Sequence, residues 1–122
     1  MADKIMVVDD NPANLKLASD ILDLEGFDVC RCQDAESAII ALGEFYPRLI
    51  LMDVALPGMD GIQLTRKLKA DPKTSKITIV ALTAFAMKDD KDRLLSEGFD
   101  GYITKPIEMK SFLKQVQFYL KL

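Results

Sequence analysis

Leu49-Ile50-Leu51-Met52-Asp53-Val54-Ala55-Leu56-Pro57-Gly58-Met59-Asp60-Gly61 is the stretch on which the fold turns. A short apolar run stops on a carboxylate, and turn-forming residues follow at once. An apolar run of this length, bounded by turn signals, reads as a strand buried on both faces. Pro57, Gly58 and Asp60 then shape a loop beside Asp53, and a helix starts near Gly61.

The same grammar repeats on both sides. Residues 4–9 form a strand that runs into Asp9 and Asp10. Asn11 caps the next helix, Pro12 takes its first position, and Leu15, Ala18, Ile21, Leu22 and Leu24 face the core before Gly26 ends it. A strand over 28–32 leads to a helix over 35–45, capped by Asp34, with Ala38, Ile39, Ala41 and Leu42 inward. Pro47 precedes the Asp53 strand, and Asp71-Pro72 ends the helix over 61–70. Beyond it lie a strand over 78–83 ending in Thr83 and a helix over 87–97 stopping at Gly98. A strand over 101–104 then leads into Lys105-Pro106 and a helix over 109–120.

Strands that alternate with helices, and are apolar throughout, make a parallel sheet covered on both faces. Right-handed crossovers put every strand's carboxyl end on one edge. The expected architecture is α/β: a doubly wound (βα)5, flavodoxin-like three-layer sandwich of sheet order 2-1-3-4-5. One domain accounts for residues 1–122, and the last helix leaves no room for an attached output domain.

Composition narrows the function classes. The chain is 49% hydrophobic and 29% charged, with a net charge of −3, so it folds and offers no basic surface for nucleic acid. No apolar run is long enough to span a membrane, and no signal-peptide pattern opens the chain, so a cytoplasmic location is expected. With no His and two Cys, a structural zinc site is excluded. Cys30 and Cys32 share one strand face, are poor disulfide partners, and read as two buried thiols.

The chemistry gathers on the shared sheet edge, where ligands of this architecture bind. Asp9, Asp10 and Asp53 converge there with Thr83 and Lys105. Three clustered carboxylates repel one another, and a divalent cation removes the conflict. Magnesium, with manganese as the substitute, suits oxygen donors and keeps several waters. Asp9 or Asp10 ligates it directly or through water; Asp53 supplies one oxygen and the Ala55 carbonyl another. Asp53 is the expected nucleophile, since a carboxylate can attack phosphorus to give an acyl phosphate. Lys105 is a point charge for the carboxylate before transfer and for a phosphoryl oxygen after it. The Thr83 hydroxyl donates to the phosphoryl group, and Tyr102 fills the space that Thr83 vacates, as a two-state element. A cis Lys105–Pro106 bond would aim the lysine inward; the sequence leaves the isomer open. Phe85 shields the phosphoryl group, and Asp89, Asp90 and Asp92 form the acidic first turn of the fourth helix.

The ordered set Asp9-Asp10, Asp53, Thr83-Ala84, Lys105-Pro106 at strand ends resembles the receiver domain of two-component response regulators over the whole chain. That resemblance implies that Asp9 and Asp10 are the acidic metal pair and Asp53 the phospho-acceptor. Thr83 is then the switch hydroxyl beside the small Ala84, Lys105 precedes the family's cis proline at Pro106, and Tyr102 takes the aromatic switch position. Residues 51–61 and 83–88 are most similar to stand-alone receivers of the cell-division regulator DivK type. The likeness implies a sensor histidine kinase or histidine phosphotransfer protein as donor, and slow self-dephosphorylation. It also implies a downstream effector protein on the face of the fourth helix, fifth strand and last helix. The first helix would meet the donor, with Asn11, Pro12, Asn14 and Leu15 nearest the site. Two other classes share the architecture: an interaction module that is never phosphorylated, and a flavin or nucleotide carrier. The carrier needs a phosphate-cradling loop after the first strand, where Asp9-Asp10-Asn11-Pro12 offers repulsion instead. A true phosphatase lacks an obvious general base.

Overall fold

Three strands are buried along nearly their whole length, which only a sheet covered on both sides allows. The structure, a computed structural model, describes residues 2–84 and 88–121. Its elements alternate strictly: β1 (Lys4–Val8), α1 (Pro12–Leu24), β2 (Asp28–Cys32), α2 (Ala35–Ala41), β3 (Leu49–Asp53), α3 (Gly61–Ala70), β4 (Thr78–Thr83), α4 (Lys88–Ser96), β5 (Gly101–Thr104) and α5 (Met109–Leu120). The sheet order is β2-β1-β3-β4-β5, with every pair parallel. This is the doubly wound sandwich expected from the alternation.

The period of two along each strand splits the core in half. Ile5, Val7, Leu49 and Leu51 face one side, with Leu22 of α1 and Phe112 of α5. Met6, Val8, Ile50 and Met52 face the other, with Ala38 of α2, Leu64 of α3 and Leu94 of α4. Local signals start the helices. The Asn11 side chain accepts the N–H groups of Ala13 and Asn14. Asp60 and Gln63 close a reciprocal capping box on α3.

Four readings need correction. The helix expected over 35–45 ends at Ala41. Beyond it the N–H groups of Gly43 and Glu44 reach back only three residues, to Ile40 and Ala41, so the chain tightens and leaves the α-helical path although the apolar period continues. Leu24 is 80% exposed, because it lies about half a turn around α1 from Leu22. Leu15, named for the partner surface, is buried in the core with Ala18 and Leu22. Cys30 is half-buried, and only Cys32 is buried, because β2 is an edge strand. Met87, the expected first residue of the fourth helix, lies outside the described residues, as does Phe85. No helix among the described residues is long and apolar enough to cross a membrane.

Candidate functional site

The carboxyl ends of β1, β3, β4 and β5 open into one cavity of about 510 Å³, lined by Asp10, Asn11, Asn14, Asp53, Thr83 and Lys105 among others. Asp9 follows β1 and is fully buried; its N–H donates to the Cys32 carbonyl at 3.0 Å, so β2 holds the acid in place. One Asp9 oxygen accepts the Asn11 N–H at 2.9 Å, and the other accepts Lys105 Nζ at 3.0 Å. Asp53 ends β3 and is buried; its Oδ1 accepts the Ala55 N–H at 3.1 Å, and its Oδ2 lies 3.4 Å from Lys105 Nζ. Asp10 is exposed at the rim. One carboxylate oxygen from each of Asp9, Asp10 and Asp53 falls in a group whose members are all within 4.8 Å of one another.

Lys105 reaches the two buried acids because its backbone is tied to the neighbouring strand. Its N–H donates to the Thr83 carbonyl at 2.8 Å, and the Lys105–Pro106 peptide is cis. Thr83 is buried at the end of β4, with Ala84 beside it on the cavity wall. On the other side, α3 begins almost on top of β3. The Gly61 N–H donates to the Val54 carbonyl at 3.1 Å, and a Cβ at Gly61 would stand 2.3 Å from the Asp53 carbonyl oxygen. Only glycine permits that approach, and it closes the loop that carries Ala55 and Pro57.

Burial pushes the Asp9 carboxyl above the usual carboxylate value, and the Asp53 charge adds to the rise; the Asn11 N–H and Lys105 pull the other way. Burial alone would lower the Lys105 ammonium, but its hydrogen bond to Asp9 and the charges of Asp53 and Asp9 outweigh that and raise it. The pocket thus opposes three carboxylates with one ammonium. All-oxygen donors with surplus negative charge fit a hard divalent cation, and Asp9, Asp10 and Asp53 are the residues that would hold it.

Tyr102 is half-buried on β5, opposite Ala81, with Lys91 Nζ 5.0 Å from its ring centre. Sequence reasoning missed what holds this strand. The Tyr119 hydroxyl donates to the Tyr102 carbonyl at 3.2 Å and lies 3.3 Å from the Tyr102 N–H, as its acceptor. A Cβ at Gly101 would meet the Tyr119 ring at 2.3 Å. A glycine opening a strand was the available signal, since it marks a close approach. Of the four residues named for the donor surface, Asn11, Pro12 and Asn14 line the cavity, and Leu15 does not.

Sheet order, edge location and acid cluster together define a doubly wound α/β domain with a candidate divalent-cation site at its carboxyl edge. The profile of the response regulator receiver domain family matches residues 5–117, and the chain belongs to that family. It is 38% identical over 120 residues to the polar-differentiation response regulator DivK of Brucella ovis, covering 98% of both chains. Its fold superposes on a response regulator from Chloroflexus aurantiacus with a TM-score of 0.93 at 26% identity, over the full length of both. The receiver domain of a sensor histidine kinase from Pseudomonas aeruginosa, solved with magnesium coordinated in its active site cleft, matches with a TM-score of 0.89 at 29% identity, over the full length of both.

Proposed function

We propose that Asp53 accepts a phosphoryl group from the phosphohistidine of a sensor histidine kinase or phosphotransfer protein. An Asp53 carboxylate oxygen forms the new O–P bond, the histidine N–P bond breaks, and the imidazole leaves with a proton taken from solvent. Asp53 faces an open cavity, while Asp9 is fully enclosed and held by Asn11 and Lys105. Asp53 is therefore the carboxylate an incoming donor meets. Asp9, Asp10, Asp53 and the Ala55 carbonyl would hold magnesium, which when bound would neutralise charge on the phosphoryl oxygens. Lys105 is already placed to trade its contact with the Asp53 carboxylate for one with a phosphoryl oxygen.

The second half of the proposal is output. Thr83 turns its hydroxyl toward the phosphoryl group, and the Tyr102 ring follows into the vacated space. That reshapes the face of α4, β5 and α5 that a downstream effector protein reads. Adjacent pairing of Ala81 with Tyr102 and of Thr83 with Thr104 supports a link between the two side chains. Likeness to the polar-differentiation response regulator DivK supports a role in polar-differentiation signalling.

The observation that carries the reading is the meeting of three carboxylates within 4.8 Å, two of them against Lys105. Incubation with acetyl phosphate and Mg²⁺ should add one phosphoryl group to the intact mass of the wild type and none to Asp53→Asn. Absence of the adduct with acetyl phosphate and with every kinase of the host would reject it. Thr83→Ala and Tyr102→Ala should keep the adduct while losing phosphorylation-dependent capture of the effector.

A further inference from the structure

The thiols of Cys30 and Cys32 take no part in the chemistry above, yet they form a second cluster of ligating atoms. Residues two apart on a strand point to the same face. Their Sγ atoms lie 4.0 Å apart, with Cys30 half-buried and Cys32 buried. The patch lies in the core half that α2 covers, and Met6 stands opposite Cys30 in the sheet register within the same apolar cluster. Two thiols and a thioether therefore share one face, with Cys30 open to solvent on an edge strand.

The spacing distinguishes between two uses of such a pair. A disulfide needs sulfurs about 2.0 Å apart, half the separation seen, and strand positions two apart sit near the upper limit of disulfide Cα spacing. A single bridging ion asks for little movement. Two metal–sulfur bonds of about 2.3 Å set in line hold their sulfurs about 4.6 Å apart, so the pair need part by only about 0.6 Å. Zinc would need four ligands, and the sequence has no His and no third Cys. Cuprous ion is soft and satisfied by two or three sulfur donors.

We propose that Cys30 and Cys32 form a two-thiolate site for a soft, thiophilic cation of the Cu(I) kind, separate from the acid pocket. Each thiol releases its proton to solvent as its sulfur–metal bond forms, and no electron changes hands. Magnesium is drawn to the carboxylate oxygens, and the sulfur pair is left to soft ions.

The test is an anaerobic titration of the reduced full chain against the coloured Cu(I)–bicinchoninate complex. Wild type should remove one equivalent of Cu(I) and gain the near-ultraviolet band of a Cu(I)–thiolate. Cys30→Ser, at the half-buried position, should keep the wild-type circular dichroism and lose more than about tenfold in affinity. Cys30→Ala serves if the serine variant fails to fold. Failure of the wild type to bleach the complex overturns the proposal, as does equal bleaching by a folded Cys30 variant.

Discussion

Replacing Lys105 with methionine keeps the length of the side chain and deletes its charge. The ammonium lies 3.0 Å from Asp9 and 3.4 Å from Asp53, on a side chain that is 17% exposed. At an effective dielectric near 20, each contact is worth roughly 5 kcal/mol of raw attraction, most of it offset by the cost of burying the charges. Deleting one partner of a buried pair typically costs about 3–5 kcal/mol, because the other charge is stranded. Asp9 can escape by binding a proton, which places Lys105→Met at the lower end, about 3 kcal/mol in metal-free buffer at pH 7.

The sign with pH follows from Asp9. Its folded pKa is already raised above 3.8, and removing Lys105 raises it further. A carboxyl raised by folding binds more protons in the native state, so stability falls as pH climbs through the window between 3.8 and the folded value. The deficit of the variant is therefore full above that window and shrinks on acidification through it. Magnesium should act like acid, since it restores positive charge beside the stranded carboxylates. Each 1.4 kcal/mol it recovers appears as about tenfold tighter binding to the variant than to wild type. Urea unfolding at pH 7 and pH 4, with and without saturating Mg²⁺, measures all of this. A loss under about 0.5 kcal/mol in metal-free buffer, or one indifferent to both pH and Mg²⁺, would refute the electrostatic account.

Gly61→Ala should destabilise the chain by about 1–3 kcal/mol and weaken Mg²⁺ binding together. Its Cβ would press on the backbone of Asp53, which cannot move without shifting the carboxylate. Denaturant melts and calorimetric Mg²⁺ titration check the two effects, and unchanged Mg²⁺ affinity would mean that the loop is not braced on Gly61. Tyr119→Phe should cost about 1 kcal/mol and speed amide exchange at Tyr102, because the hydroxyl that bonds both backbone groups of Tyr102 is removed. Unaltered exchange at Tyr102 would show that α5 does not secure β5 through this group.

Much of the molecule was legible because its signals are local. The strand runs carry their burial in composition, and Asn11 and Asp34 each accept backbone N–H groups at the helix starts they mark. Asp53 stands where an apolar run meets a turn, and that junction is visible without coordinates. Period alone overran at the end of α2, where three-residue backbone bonds replaced the helix. It also placed Leu24 inside, when 3.6-residue geometry turns it out. The bracing of β5 by Tyr119 was signalled only by Gly101, since the two tyrosines are 17 residues apart.

By itself the sequence determined which residues end strands, hence that five chemistry-bearing groups would share one edge of a parallel sheet. It also determined that the chain would be covered on both sheet faces, because apolar runs of that length leave no polar side for water. Tertiary structure alone decided distances: that Lys105 contacts both buried acids, that the Cys32 carbonyl steadies Asp9, and that two thiols come to 4.0 Å. The reason is physical. Periodicity and capping act over a few residues, whereas these contacts join strands brought together only when the sheet closes its order.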